Sequence, residues 1–539
     1  SCGICIVRME GSPKMVRACT TPVTENMSVI THDPEIIAVR RTVVELILSN
    51  HPNDCLQCPR NGNCELQTLA AEFGIRQVPY RKISNNLFID DSNPAIILNP
   101  DKCIRCGRCV KVCQEMQNVW ALEFLGRGIK GRIAAAADTP LGESPCIKCG
   151  QCAAHCPVGA IYERDDTVKV WAALQNADIH PVVQSAPGVR VALAEEFGLE
   201  PGSLVTKKIY AALRRLGFKT VFDTNFSADL TIMEEGTELV KRLTQGGDIP
   251  LITSCCPAWV DYMEKYYTDM IPNFSTAKSP QQMMGAMIKS YWAGKAGIDP
   301  DKIFSVSIMP CTAKKWETKR NRDMRSAGHG DDVDISITTR ELARMIKQAG
   351  IEILKLADEE ADNPLGPYTG AGTIFGVTGG VMEAAVRSAY FLVTKKNLGE
   401  VNFLPVRGLE GVKEAEVDFQ NGTKIRIAVA HQMGNIAAVL DRIRAARDKG
   451  QEPPYHFVEV MACRGGCIGG GGQPYGCTDE IRSKRIAGLY QDDQQASYRC
   501  SHQNPNIKLI YEEFLGEPSG HKAHELLHTK YEGRPLYLK

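Results

Sequence analysis

Glu459–Pro474 reads EVMACRGGCIGGGGQP, an apolar strand signal over Val458–Met461 that runs straight into Cys463 and Cys467. Two other stretches repeat the arrangement. Leu251-Ile252 precedes TSCCPAW (Thr253–Trp259), and Ile308 leads into MPCTAKKWE (Met309–Glu317). Open α/β sheets place their sites beyond the carboxyl ends of strands. Cys255, Cys256, Cys311, Cys463 and Cys467 are therefore expected on such loops. From about residue 180 the chain alternates between strand and helix. Val189–Leu193, Thr220–Asp223, Pro250–Thr253, Phe304–Met309 and Phe457–Met461 read as short buried strands. Thr231–Arg242, Ser279–Ala296, Arg340–Ala349 and Gly380–Thr394 read as helices.

Upstream, residues 96–175 hold Cys103-x2-Cys106-x2-Cys109-x3-Cys113 and Cys146-x2-Cys149-x2-Cys152-x3-Cys156-Pro157, separated by a segment with Gly126, Gly128 and Gly131. This is the spacing of bacterial two-cluster ferredoxins, in which the fourth cysteine ligates the other cluster. Cys103, Cys106 and Cys109 are thus paired with Cys156, and Cys146, Cys149 and Cys152 with Cys113. Zinc usually takes two Cys-x-x-Cys pairs and fits consecutive triplets poorly. Residues 34–95 begin with a helical pattern (Ile36–Leu48) and continue into His51-x3-Cys55-x2-Cys58-x5-Cys64. Imidazole in place of a thiolate removes a negative charge and should raise a cluster's potential. A zinc site, or His51 as a helix-end residue beside three cysteines, also satisfies that spacing. Residues 1–33 are short and β-rich, with Cys2, Cys5 and Cys19.

The bulk numbers narrow the class. At 539 residues the chain can bury several cores. Lys plus Arg equals Asp plus Glu at 63 each, which gives no electrostatic case for nucleic acid or an anionic membrane. No apolar run approaches a membrane span and no secretory segment opens the chain, so a cytoplasmic protein is expected. The 21 cysteines are clustered, and in a reducing compartment such clusters read as metal ligands. Soft sulfur donors select iron–sulfur clusters, copper or zinc. Phe375–Gly380, Gly469–Gly472 and Gly370-x-Gly372 are weak nucleotide signals, since none carries a complete phosphate-binding pattern. No nicotinamide site of the chain's own is expected.

The three downstream cysteine segments resemble the signature motifs of the FeFe-hydrogenases, which interconvert protons and molecular hydrogen. The resemblance spans nearly the whole chain and implies a multidomain protein of α+β and α/β parts. Its modules would be a 2Fe–2S ferredoxin-like remnant (1–33), a histidine-ligated 4Fe–4S domain (34–95) and a two-cluster ferredoxin-like domain (96–175). A two-lobed α/β catalytic domain (180–539) would follow, with its active site between the lobes. The His51 segment is similar to a 4Fe–4S module shared with the large NADH-dehydrogenase subunit. Cys2, Cys5 and Cys19 resemble the downstream part of a 2Fe–2S ligand set. Because Ser1 opens the chain in mid-motif, the chain reads as truncated or processed, with that centre expected to be absent or unstable.

By resemblance, Cys256, Cys311, Cys463 and Cys467 hold a 4Fe–4S cubane, and Cys467 also bridges to a two-iron subcluster. The whole is the H-cluster, with carbonyl, cyanide and dithiolate ligands that imply maturation enzymes as partners. Three accessory 4Fe–4S clusters and the 2Fe–2S centre complete the cofactor set. Neighbouring residues of extended backbone point opposite ways, so Cys255 should face the two-iron site and pass protons; a buried, inert cysteine is the plainer reading. Glu235 and Glu238 share a helix face and match the family's proton path, bridged by Ser275 with Arg242 near the exit. As an isolated pair they would read as a solvated acidic turn. Glu234 is expected to complete a capping box with Thr231. Lys314 would hydrogen-bond a cyanide ligand, with Gln281, Met309, Met461, Pro187 and Phe375 around the same pocket. The two methionines alone would read as core fillers. Gly188 stands where many relatives carry Ser or Ala, while Cys477 and Cys500 read as ordinary free cysteines.

The implied substrates are protons and hydrogen. Electron partners would be ferredoxin, or NAD(P)-linked flavoprotein subunits such as those of multimeric or electron-bifurcating hydrogenases. An electron-transfer subunit like the large NADH-dehydrogenase subunit would not explain Cys255 through Cys467. A narf-like iron–sulfur assembly protein would not explain Cys255, Lys314 and the long relay.

Overall fold

The computed structural model describes residues 3–81, 87–399, 401–419 and 424–538. Two four-stranded sheets organise the downstream half. In the first, Ile335–Thr338, Ile303–Met309, His180–Ser185 and Thr220–Asp223 lie side by side and all run parallel. In the second, Leu251–Ile252, Phe457–Met461 and Lys424–His431 are parallel, and Val412–Asp418 closes the edge antiparallel. Parallel strands must be covered on both faces, so their residues are buried almost throughout. Phe457–Met461 is buried at every position.

The first sheet differs from expectation at two strands. One of them, Ile335–Thr338, is not among the expected strands at all. Val189–Leu193 is not extended; the strand is His180–Ser185, and the helical turn Pro187–Arg190 follows it. An apolar run buried on all sides carries no period, so strand and helix look alike there. Pro187 in the first turn, where its missing N–H costs nothing, marks the start instead.

The helix expected over Thr231–Arg242 spans Thr224–Gln245. Its first turns carry Asn225, Ser227 and Asp229, all buried, which mask the amphipathic signal. Asp223 caps it by accepting from the Asn225 amide at 2.8 Å. Thr231 is therefore mid-helix and its hydroxyl donates to the Ser227 carbonyl, so Glu234 forms no capping box. This long helix packs against Pro280–Met287 and Gly380–Thr394. The expected helix Ser279–Ala296 starts at Pro280 and passes through a π-turn, Ile288–Trp292, before Ala293–Ala296.

In the upstream half, Ile6–Met9, Met15–Arg17 and Val29–Ile30 form a small antiparallel sheet. The helix Pro34–Ser49 follows, capped by Asp33 accepting from Ile36. Between residues 96 and 163 the fold is pseudo-symmetric. Ile96–Leu98 pairs antiparallel with Ile161–Glu163, and each cysteine run winds into a short helix, Arg108–Lys111 or Gln151–His155. The glycine-bearing segment between the runs makes the hairpin Glu123–Leu125 and Arg132–Ala134. Among the described residues, no helix is long and apolar enough to cross a membrane.

Candidate active site and electron relay

Cys255 and Cys256 follow the strand Leu251–Ile252, Cys311 follows Ile303–Met309, and Cys463 and Cys467 follow Phe457–Met461. Backbone bonds between the loops draw these segments together. The Gly472 amide donates to the Pro310 carbonyl at 2.8 Å, and Ile468 N to Gly376 O at 3.0 Å. The side chain of Gln473 donates to Gly188 O at 2.7 Å. Burial and the charges of Cys311, Cys256 and Cys467 push the Cys463 thiol well up. The same causes push Cys311 and Cys467 up to about 12.

Lys314 reaches the same place. Its ammonium donates to the Cys255 carbonyl at 3.0 Å and to Glu317 at 2.8 Å. Burial works against its charge, and the Glu317 carboxylate more than offsets that, so its pKa is raised. Gln281 stands behind it: the amide donates to Glu317 at 3.0 Å and to Lys314 O at 3.3 Å, and accepts from Ser307 at 2.7 Å. Phe375 and Met461 share an apolar cluster against which Cys255 packs. Met309 lies in the neighbouring cluster with Ala186 and Val189, beside buried Pro187. A methyl group on Gly188 would meet Gln473, Pro310 and Cys467 O at ordinary to tight distances.

Cys255 keeps some exposed surface yet lies deep in the protein. That depth, followed by the charge of Glu235, raises its thiol pKa. Glu235 is fully buried, and neither carboxylate oxygen has a hydrogen bond of good geometry, although the Ser275 hydroxyl and the Ser254 backbone face it. Burial pushes its pKa up to about 8, with the Glu238 charge adding to the effect. Ser275 donates to Glu238 at 3.4 Å, and Arg242 donates to the other Glu238 oxygen at 2.6 Å.

The chain's last turns complete this region in a way the motifs did not signal. Thr276 bonds both Glu238 and His528, and His528 in turn meets Glu234 at 2.9 Å. Glu234 also accepts from the Tyr511 hydroxyl and the Ser519 amide. Tyr531 donates to Ser275 O at 2.9 Å. Only the pairing of acids on one helix with distant hydroxyls would have revealed these partners, and sequence separation hides it.

The cysteines of the two upstream runs gather crosswise. Cys103, Cys106, Cys109 and Cys156 line one small cavity. Cys146, Cys149, Cys152 and Cys113 line another. His51, Cys55, Cys58 and Cys64 face a third, beside Gly159. Cys5 lies beside Cys19, and hydrogen bonding between them outweighs burial and lowers its pKa; Cys2 falls outside the described residues. Cys500 is buried apart from these sites, and Cys477 accepts from Arg485 at 3.4 Å.

The two halves interlock. Glu163 and Arg340 are both buried and share two hydrogen bonds of 2.9 and 2.8 Å. Burial would raise Glu163, but the Arg340 charge overcomes it and holds the carboxyl at about 2. Lys148 meets Asp261 at 2.6 Å, and the Thr312 hydroxyl donates to Lys148 O at 2.7 Å. Gly150 (φ +72°) presses against the Thr312 side chain, and Gly471 against the Cys149 and Gly150 backbone, so a Cβ at either position would collide.

Five cysteines on three strand ends converge with a buried lysine and a buried acid beside them. The sequence profile described as "Iron only hydrogenase large subunit, C-terminal domain" matches residues 179–471. The chain belongs to the iron-only hydrogenase large-subunit family. Further profiles match an iron hydrogenase small subunit at 479–534 and a 4Fe–4S dicluster domain at 102–160. An NADH-ubiquinone oxidoreductase-G iron–sulfur region matches 40–79, and a 2Fe–2S domain matches 1–34. The "NADP-reducing hydrogenase subunit HndD" of Solidesulfovibrio fructosivorans is 48% identical over 98% of this chain and 90% of that one. "Iron hydrogenase 1" of Clostridium pasteurianum is 40% identical over 98% and 92%. A solved structure of FeFe-hydrogenase HydA1 from Chlamydomonas reinhardtii, 42% identical, covers 69% of this chain and 100% of its own at a TM-score of 0.61.

The protein is thus an iron-only hydrogenase with iron–sulfur cluster domains. Its donor sets fit the family's clusters. Among the described residues, no three His, Cys, Asp or Glu groups converge closely enough for a single ion. The upstream thiols instead surround cavities, and burial pushes Cys103, Cys109, Cys113, Cys146, Cys149, Cys152 and Cys156 upward, as it does Cys256. Buried, mutually repelling thiolates persist only against a compensating positive charge, which iron provides.

Proposed function

We propose that Cys256, Cys311, Cys463 and Cys467 ligate the H-cluster cubane, with Cys467 shared with the diiron subcluster. When bound, that group supplies the redox chemistry that joins two protons and two electrons into hydrogen, or reverses it. The protein's residues position it and move the protons. Lys314, held by Glu317 and Gln281, presents its ammonium to a diatomic ligand. Pro187, Met309, Phe375 and Met461 wall the site and exclude water. Protons pass between solvent and Cys255 by Arg242, Glu238, Ser275 and Glu235. The observation that carries this reading is Glu235: a buried carboxyl with a pKa near neutrality, set between the Ser275–Glu238–Arg242 line and the Cys255 thiol. General acid–base groups work best with a pKa near the operating pH.

Electrons would travel from the His51/Cys55/Cys58/Cys64 cluster to the Cys103/Cys106/Cys109/Cys156 cluster. Cys146, Cys149, Cys152 and Cys113 would hold the cluster next in line, beside the active site. Cys2, Cys5 and Cys19 belong to a 2Fe–2S centre. This assigns residues 1–33, 34–95 and 96–175 to relay modules and 180–539 to a two-lobed catalytic domain with the active site between its two sheets. The name of the S. fructosivorans relative supports an NADP-linked, multisubunit assembly; a flavoprotein subunit, or ferredoxin, would exchange the electrons. The amides of Gly379 and Met382 already donate to Glu459 at 2.6 Å each, so that glycine-led helix start serves an internal carboxylate. We place the protein in the cytoplasm and count maturation enzymes as transient partners. Hydrogen evolution from reduced dye by matured protein tests the proposal. It should vanish in Cys255→Ser while iron content and the infrared bands of the diatomic ligands persist; full activity in that variant would refute the proton role.

A further inference from the structure

Gln151 lies between two relay cysteines, Cys149 and Cys152, yet its side chain leaves the relay domain. Its amide nitrogen sits 3.3 Å from the sulfur of Cys463 and 3.0 Å from the carbonyl oxygen of Gly469. The residue is 4% exposed, so water does not compete for either bond. The opposite amide orientation would set the glutamine oxygen against a carbonyl oxygen and a sulfur, all acceptors, so the nitrogen must face them. The surrounding loop leaves Gln151 little freedom. Gly150 is wedged on Thr312, and the Thr312 hydroxyl grips Lys148 O.

We propose that Gln151 is a positioning residue that tunes the active-site cubane through an N–H···S hydrogen bond to Cys463. The inference rests on the reading of Cys463 as a cubane ligand. A donor aimed at a ligating sulfur draws off electron density, stabilises the more negative reduced state and raises the potential. The same side chain is a short bridge between the sulfur sets. Cys149 and Cys152 are its backbone neighbours, and one hydrogen bond separates it from Cys463. The relay domain therefore sets the acceptor's potential at the point where it delivers the electron.

The test is a redox titration of the matured enzyme, followed by electron paramagnetic resonance and by the infrared bands of the diatomic ligands. Gln151→Leu removes the donor. Gln151→Glu keeps the shape and places a carboxylate at the sulfur. Both should make the active-site cubane harder to reduce, by on the order of tenfold in the oxidised-to-reduced ratio, about 59 mV for one electron. The Glu variant should shift further, and the distal clusters should not move. Unchanged potentials in both variants would overturn the proposal. So would loss of the active-site cubane in both, since Gln151 would then be only a strut. Cys463→Ala separates the two levels: an intact active-site cubane there would remove the ligand reading itself, whatever Gln151 does.

Discussion

Arg242 donates to Glu238 at 2.6 Å across one turn of the helix Thr224–Gln245, and both side chains are only partly buried. The pair is where the Glu235–Ser275–Glu238 line approaches the surface. Glu238→Ala should cut hydrogen turnover by about a hundredfold or more, the usual scale of a lost proton-transfer group. Cluster content, read by iron analysis, should not change. Equal turnover would take Glu238 out of the path.

Glu235 links pH to stability. Its folded pKa of about 8 lies above the ordinary 4.5, so the folded state binds more protons between those values. Stability contributed by this group is therefore full at low pH and is lost as pH rises through that window. Glu235→Gln should melt progressively higher than the parent as pH is raised from 5 to 9. Parallel melting curves for the two proteins across that range would contradict this.

The Glu163–Arg340 pair joins the relay to the catalytic half and has the opposite pH sense. With Glu163 held at about 2, its contribution is fully present above the ordinary 4.5 and is lost as pH falls from there through about 2. Arg340→Ala leaves a buried carboxylate without its partner, a loss of about 3–5 kcal/mol. Thermal unfolding of the folded protein should drop accordingly. The double variant Glu163→Gln, Arg340→Met should recover much of the loss.

At the outer end of the relay, His51→Cys would replace a neutral ligand by an anionic one. The potential of that cluster should fall, and the electron paramagnetic titration of the other clusters should stay put. An unchanged set of potentials would argue that His51 is no ligand.

Much of this architecture was legible because thiol chemistry is tied to spacing. The two ferredoxin runs implied their crosswise pairing, and Thr220–Asp223, Phe457–Met461 and Gly380–Thr394 coincide with the elements observed. What escaped lacked a periodic signal. Val189–Leu193 is buried all round, and the first turns of Thr224–Gln245 carry buried polar residues where an amphipathic pattern was sought. The partners of the acidic line were hidden for a different reason. His528 and Tyr531 return to Thr276 and Ser275 across some 250 residues, a closure that only tertiary packing creates.

The dovetail of Gly150 with Thr312 and Gly471 with Cys149 bears on attempts to rewire this enzyme. Domains further upstream could be traded for a photosensitiser, an electrode tether or a foreign donor. The innermost ferredoxin fold is no interchangeable cartridge, because any chimera carrying a bulkier residue at either glycine would hold donor and catalyst apart.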